Sequence, residues 1–395
     1  VTAEDFAFAW RSMREEETRT AFLMEDVEAA NALDDRTLEV RLRSPRSYFP
    51  YVLTSVWAFP WPRHRCGELG EGWRDPANLV SNGPFMLSEY DQEHALLVAN
   101  PYWDGPRGNV RELHVTFRAG PDAQVVNEWM SGRYDVLHVY SPEIRDAPDT
   151  IVEPVSELAT TYIGFNARRP PFSNLLVRRA FSHAIDRTRA AAAVAPLARA
   201  ATTGGAIPPA MPGHSHRVAP PYDIELAKNL LAEAGYPDGR GLPELELLAP
   251  PWLRSPEALV DQWIELGARV RLNHVKFHED PGALATAHLW IASWTTDYPD
   301  PDGFFRGLIS GEMWPFCRDE DVVALIEEAR ELTDQDERLR LYHDIDRLWV
   351  SEHAAMLPLW YRRSLTARRP WIEGLWTNPL SKAHIDAVTV THREL

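Results

Sequence analysis

From Leu289 to Trp294 the chain runs Leu-Trp-Ile-Ala-Ser-Trp, apolar at nearly every position, and its character changes at Asp297. Leu289, Ile291 and Ser293 alternate with Trp290, Ala292 and Trp294, so a strand here is apolar on both faces and predicts cover from two sides. Tyr298-Pro299-Asp300-Pro301-Asp302-Gly303 follows and stops the strand, since proline cannot donate to a ladder and glycine favours turns. Asp297 is then the first carboxylate at the exit of a buried strand, where open α/β sheets place ligands. The alternative reading is that it only caps the turn.

Elsewhere the apolar spacing switches between helical and strand periods. Thr2-Ala3-Glu4-Asp5 has the form of a capping box with Asp in place of Glu, and Phe6, Trp10 and Met13 predict a helix over 3–16. Val27–Ala30 and the alternating Leu38, Val40 and Leu42 predict a hairpin, as do Phe85–Tyr90 and Ala95–Ala99. Between these hairpins, Pro45, Pro50, Pro60 and Pro62 with the glycines of 67–72 predict a loop-rich passage that crosses between subdomains. Val110–Phe117, Ala123–Ser131 and Tyr134–Tyr140 read as a strand, helix, strand unit, the mark of α/β architecture.

Further on, Thr160–Asn166 predicts a strand, and Ser173 caps a helix whose Leu176, Val177, Ala180, Phe181, Ala184 and Ile185 form a core-facing stripe. Ala190–Ala201 is helical at its start, and Thr202–Pro221 is an unusually long loop, either a functional surface or an ordered arm. A helix from Tyr222-Asp223 ends at Gly235, which suits the C′ position. Leu245–Ala249 and Ala268–Val275 are strands around a helix over Glu257–Leu266. Two charged amphipathic helices, Asp319–Leu332 and Gln335–Val350, precede two strands, Met356–Tyr361 and Ser364–Arg368, and an irregular tail from Trp371.

The chain has 395 residues, enough for two or three domains with buried cores. Its formal charge of −17 argues against binding to nucleic acid or anionic lipid, because phosphate contacts need clustered Lys or Arg. Cys66 and Cys317 are too few for a disulfide framework and lack CxxC spacing; they are either one bridge or two free thiols. No window approaches 18 apolar residues, so no membrane span is predicted, and no segment of the given sequence reads as a signal peptide. The chain opens on a helix start without an initiator methionine, as expected of a mature or truncated piece of something longer.

The search for chemistry is largely negative. GxSxG, HExxH, SxxK, GxxxxGK and a strand-linked GxGxxG are all absent, so no catalytic residue and no cofactor is assigned. His214 and His216 lack a spaced third ligand and read as a polar loop, and His274 and His278 at a strand end read the same way, so no metal site is assigned. A calcium loop fails on register: with Gly303 as the invariant glycine, Tyr298 takes the first ligand position and Ile309 the last. A triad of distant Ser, His and Asp assembled in space stays open.

Several separated segments, taken in order, resemble the family 5 extracellular solute-binding proteins that deliver peptides and related solutes to ATP-binding-cassette importers. They are Thr2-Ala3-Glu4-Asp5-Phe6, Ser81-Asn82-Gly83-Pro84-Phe85, Asn100-Pro101-Tyr102-Trp103, and Gly164-Phe165-Asn166 followed by Pro171-Phe172. Val177-Arg178-Arg179-Ala180 through Ala184-Ile185-Asp186-Arg187, Leu230–Tyr236 and Asp297-Tyr298-Pro299-Asp300-Pro301 complete the set. The resemblance implies an α/β, periplasmic-binding-protein-like two-lobed clamp with an extra small subdomain. Its first lobe is expected to be incomplete at the N-terminus, because members carry some tens of residues before the first motif. The implied division is 1–80 for the small subdomain, 81–158 with 362–395 for the first lobe, and 159–361 for the second lobe.

The resemblance further implies that Asp297 holds the α-amino group of a peptide, that main-chain atoms near Trp294 and Thr295 pair with its backbone, and that Tyr298 lies at the same site. Trp57 and Trp61, with Trp73, are candidates for cleft lining. The implied function is capture of a peptide or other small solute for an ATP-binding-cassette permease, by a monomer outside the cytoplasm, periplasmic or lipid-anchored. Gly204–Pro209 with Met211–His214 resembles a branch in which the clamp follows a DNA-binding domain, so the alternative is the ligand-sensing part of a cytoplasmic transcription regulator.

Overall fold

The computed structural model describes residues 1–391 other than 17, 19, 118–121, 140–143, 145, 196–198, 202, 277–281, 311–318 and 381. The chain divides into two compact units, Val1–Val155 with Leu365–Leu395, and Ser156–Ser364.

The first unit opens with α1 (Ala3–Glu15), where the Asp5 carboxylate accepts from the Thr2 N–H at 2.8 Å, the reach-back half of a capping box. Its Trp10 is buried and donates from Nε1 to the Ala58 carbonyl at 2.9 Å, tying the helix to the proline-rich passage. β1 (Val27–Ala32) and β2 (Leu38–Leu42) form the antiparallel hairpin that their alternation predicts. The passage after them is more regular than expected. It holds α2 (Phe49–Val52), α3 (Arg63–Leu69) and short 3₁₀ turns at Val56–Ala58, Gly70–Arg74 and Pro76–Asn78. The prolines do not break these turns, because Pro50 and Pro76 occupy first-turn positions where a missing N–H costs nothing.

β3 (Phe85–Tyr90), β4 (His94–Ala99) and β5 (Glu112–Thr116) make an antiparallel three-stranded sheet, followed by α4 (Asp122–Met130) and β6 (Val136–Val139). The expected strand, helix, strand unit is therefore not a crossover. β5 belongs to the small sheet and β6 to another, because β5 already pairs with β4 while β6 pairs with the end of the chain's last long strand.

β7 (Ile151–Phe165) is longer than its apolar part suggests, since its first half carries Glu153, Pro154 and Glu157. It enters the second unit, whose helices are α5 (Leu175–His183), α6 (Arg187–Val194), α7 (Ile224–Glu233), α8 (Glu257–Ile264), α9 (Ala283–Thr286), α10 (Asp302–Ser310), α11 (Glu320–Glu331) and α12 (Gln335–Arg347). The strands interleaved with them are β8 (Arg199–Ala200), β9 (Leu245–Ala249), β10 (Val270–His274), β11 (Leu289–Thr295) and β12 (Met356–Arg368). The sheet has the order β10-β9-β11-β7-β12-β6, with β8 added on β12. It is mixed: β11 runs parallel to β9 and antiparallel to β7. Met356–Arg368 is one strand and not the expected two, the Arg362-Arg363 pair lying within its pairing. Beyond it, β13 (Ile372–Glu373), β14 (Trp376–Thr377), β15 (Ala383–His384) and β16 (Thr389–Val390) are two-residue pairings within the first unit.

The core of the second unit is built from the predicted stripe of α5 with residues of β7, β9 and β11. Phe172 and Phe181 meet edge to face and Phe181 and Trp263 at a tilt, with ring centroids 5.0 and 5.4 Å apart, and Trp263 Nε1 donates to the Phe181 carbonyl at 3.1 Å. Burial of side chains this large gives roughly 2–3 kcal/mol each. Asn174, rather than Ser173, caps α5: its side chain accepts from the Leu176 N–H at 2.9 Å.

The long loop is an ordered arm over residues 203–221; Thr202 lies outside the described residues. Ala206 donates its N–H to Asp346 at 2.8 Å and accepts from the Thr160 hydroxyl at 2.7 Å, while the Tyr361 hydroxyl donates to the Gly205 carbonyl at 3.1 Å. Gly205 is required by proximity, since a Cβ there would stand 1.9 Å from Asp346 Oδ2. Burial pushes the Asp346 carboxyl up to about 7, against the pull of the Ala206 and Ile207 N–H groups.

The folded state thus holds this proton up to about pH 7, while the unfolded chain releases it near 3.8, so stability from this group is present at acid pH and lost as pH rises through 7. Asp346→Asn should remove that slope. Its urea midpoint, measured against the native chain, should gain between about pH 5 and about pH 7.5, and an unchanged gap between the two proteins would contradict the assignment.

Candidate functional site

β11 ends where its pairing with β7 runs out. Thr295 is in register with Ala159, and Thr296 extends the pairing by donating its N–H to the Leu158 carbonyl at 3.1 Å. The turn beyond is closed by its own groups: Thr296 Oγ1 donates to the Tyr298 carbonyl at 2.8 Å, and Trp294 Nε1 reaches forward to the Gly303 carbonyl at 2.9 Å. A Cβ at Gly303 would stand 1.9 Å from Thr296 Oγ1, so the first turn of α10 can seat this closely only because that residue is glycine.

Three carboxylates leave this turn, and their surroundings differ. Asp300 and Asp302 are fully buried, whereas Asp297 is half-buried. Arg338 on α12 grips Asp300 with both terminal nitrogens, at 2.7 and 2.6 Å, in a bidentate fork. Burial alone would lower the Arg338 pKa, but the hydrogen bonds and charge of Asp300 outweigh it and the pKa is raised, as expected of an ionised pair. Asp302 accepts from the hydroxyls of Tyr298 at 2.6 Å and Tyr342 at 3.0 Å, and Arg330 Nε lies 3.3 Å away. The turn is therefore over-determined by groups from α11 and α12, and it presents Asp297 from a fixed frame.

The expected site residues separate into two groups. Trp294, Thr295, Asp297 and Tyr298 lie on one continuous stretch of the second unit. Trp294 adjoins a small apolar pocket with Tyr162, Phe304, Phe305 and Trp349 among its walls. Tyr298 has its ring buried and its hydroxyl committed to Asp302, which makes it a support of the turn rather than an open contact. Trp57 and Trp61 belong to the first unit. Trp57 is 44% exposed, and Trp61 packs on Trp73 with ring centroids 5.3 Å apart, both indoles lying beneath the Arg74 guanidinium.

Sequence reasoning missed Arg338, Tyr342 and Arg330. A signal existed: Arg338, Tyr342, Ile345, Asp346 and Trp349 recur at helical spacing on one stripe, so two charges fall on the buried face of α12. Charged residues on such a stripe require partners. His214 Nε2 lies 3.2 Å from His216 Nδ1 and its Nδ1 donates to the Ile207 carbonyl at 2.6 Å. Among the described residues no three His, Cys, Asp or Glu side chains group as metal ligands. Cys66 is a half-buried free thiol, while Cys317 and His278 lie outside the described residues.

The chain passes between its compact units twice, within β7 and within β12, and the fold is that of the periplasmic-binding clamps. It belongs to the bacterial extracellular solute-binding proteins, family 5: the model of that family's middle region matches residues 1–314. The probable deoxycholate-binding periplasmic protein YgiS of Escherichia coli (strain K12) is 26% identical over 414 residues, spanning 95% of this chain and 76% of that protein. The periplasmic oligopeptide-binding protein OppA of the same organism is 25% identical over 427 residues, with the same coverage. Among solved structures, a dipeptide-binding protein from Pseudoalteromonas sp. SM9913 in complex with Met-Leu superposes with a TM-score of 0.82 at 20% identity, over 99% of this chain and 83% of that one. The family and these relatives are binding proteins rather than enzymes, and none of those named is a regulator. No helix among the described residues is long and apolar enough to cross a membrane.

Breaking the fork beneath the turn should be costly. Asp300→Asn or Arg338→Met alone should each lower unfolding free energy by about 3–5 kcal/mol in denaturant titrations, and combining them should cost less than the sum. Additive losses would show that the two side chains act independently.

Proposed function

We propose that this protein captures peptides, holding the ligand's α-ammonium on Asp297, and hands them to an ATP-binding-cassette permease. The observation that carries the reading is the contrast in burial within the turn after β11: Asp300 and Asp302 are fully buried, and Asp297, on the same rigid frame, is half-buried and keeps access to solvent. A carboxylate taken out of water costs several kcal/mol unless it meets a cation, and a charge-assisted hydrogen bond to an ammonium offsets that cost. Ligands without a free amine then bind poorly. Main-chain groups at Trp294 and Thr295, at the end of an edge of pairing, suit strand-like recognition of a peptide backbone, which tolerates many side chains.

The peptide-binding names among the relatives, OppA and the Met-Leu complex, support this ligand class. We assign the protein a monomeric, non-catalytic role outside the cytoplasm, with no cofactor. The small subdomain is taken as 1–80, the first lobe as 81–158 with 362–395, and the second lobe as 159–361. Trp57 and Trp61 are assigned to the ligand-lining surface of the part before residue 80.

Native mass spectrometry of the protein as purified should release a peptide. In calorimetric titration with that peptide, Asp297→Ala should weaken binding by about 2–5 kcal/mol, the range for removing one side of a buried charge pair. Undiminished affinity in the variant would reject the role.

A further inference from the structure

Asp346 on α12 is fully buried, and its two oxygens meet different surroundings. Oδ1 accepts the Ala206 N–H at 2.8 Å, whereas Oδ2 has no hydrogen-bond partner. Gly205 of the arm stands so close to Oδ2 that a Cβ there would lie 1.9 Å from it, which leaves no room for a water on that side. A neutral carboxyl forgoes one hydrogen bond in this setting, but a carboxylate forgoes the solvation of a charge shared by both oxygens. The titratable groups around the contact are turned elsewhere. On β12 the Tyr361 hydroxyl donates to the Gly205 carbonyl, and in the arm His214 Nδ1 donates to the Ile207 carbonyl, the two rings meeting at 5.4 Å. Arg187 of α6 acts on Tyr361 through its charge. One and two turns back on α12, Tyr342 and Arg338 serve Asp302 and Asp300.

Ala206 ties this carboxyl to the site. Its N–H goes to Asp346, its carbonyl accepts from the Thr160 hydroxyl at 2.7 Å, and it is one wall of the small apolar pocket beside Trp294. Thr160 is in turn the ladder partner of Trp294. Asp346, Ala206, Thr160 and Trp294 are thus joined in series, and all four lie in the second unit.

We infer that Asp346 is a proton-operated latch: neutral, it keeps the arm seated with Ala206 as a wall beside Trp294, and ionised, it frees that wall and weakens binding at the adjoining turn. The inference rests on the reading of that turn as the ligand site. The sign follows from burial. With the arm seated the carboxyl holds its proton up to about 7, and once in water only to about 3.8, so acid seats the arm and pH rising through 7 releases it.

Amide hydrogen exchange at Ala206 and Ile207, corrected for the intrinsic rate, tests the latch from about pH 6 to about pH 8.5 in the native chain, Asp346→Asn and His214→Gln. Protection in the native chain should fall about tenfold for each pH unit above 7, stay level in Asp346→Asn and still fall in His214→Gln. Level protection in the native chain, or a fall that His214→Gln abolishes, overturns the role of Asp346. Should Asp346→Asn not fold, the comparison of the native chain with His214→Gln decides alone. Calorimetric titration with tri-alanine tests the link to the site. The peptide's own amine titrates near about 8, so the readout is the loss of affinity between about pH 6.5 and about pH 8.5 in the native chain beyond that in Asp346→Asn, expected to be about tenfold. Equal losses beside pH-linked exchange overturn the coupling and leave the role of Asp297 standing. If tri-alanine binds at no pH, the peptide reading fails and the coupling fails with it.

Discussion

The bidentate contact between Arg338 and Asp300 is the constraint on which the rest of the second unit's working end depends. It joins α12 to a turn that contains two prolines, a glycine and three acids, a composition with little intrinsic preference for one shape. Removing two opposite charges from water is expensive, and the fork geometry recovers the cost only when both nitrogens meet both oxygens, which fixes the turn in distance and in angle. Asp302, Tyr298, Tyr342 and Arg330 extend the same logic. The frame beneath Asp297 is thus electrostatic, and its rigidity comes from the requirement that every buried charge be met.

How much of this was legible before any coordinates varied with the range of the interaction. β11 and the turn after it were visible because their signals are local: an apolar run, then prolines that cannot stay in a ladder. The stripe of α5 was visible for the same reason, though its cap was misplaced by one residue, Ser173 and Asn174 both being good caps. β7 and β12 were under-read where they carry Glu153, Glu157, Arg362 and Arg363, since charges in mid-strand look like strand ends until their partners across the sheet are known. The helix between β5 and β6 looked like a crossover because pairing partners are a property of the sheet, and nothing local in β5 announces that it has already been taken by β4.

The site divides in the same way. Asp297 could be singled out from its place at a strand exit and from resemblance, but Arg338 could not, because it lies far along the chain from Asp300, the carboxylate that gives it meaning. Family membership established the frame of a solute-binding clamp, and the family match over residues 1–314 ends before Arg338. Acids of similar sequence appearance thus differ in surroundings: Asp300 and Asp302 are fully buried and held by partners from the turn, α11 and α12, and Asp297 is half-buried.

Gly164 and Trp290 face each other across β7 and β11, and a Cβ on the glycine would stand 2.2 Å from the indole. The indole therefore lies flat over bare backbone, and one residue in effect supplies the side chain for two. Neither position can drift by itself: any side chain at Gly164 evicts the ring, and any smaller residue at Trp290 uncovers main chain. Over evolutionary time the two should change as a single locus, a bookmark by which descendants of this sheet can be recognised even after the ligand has changed.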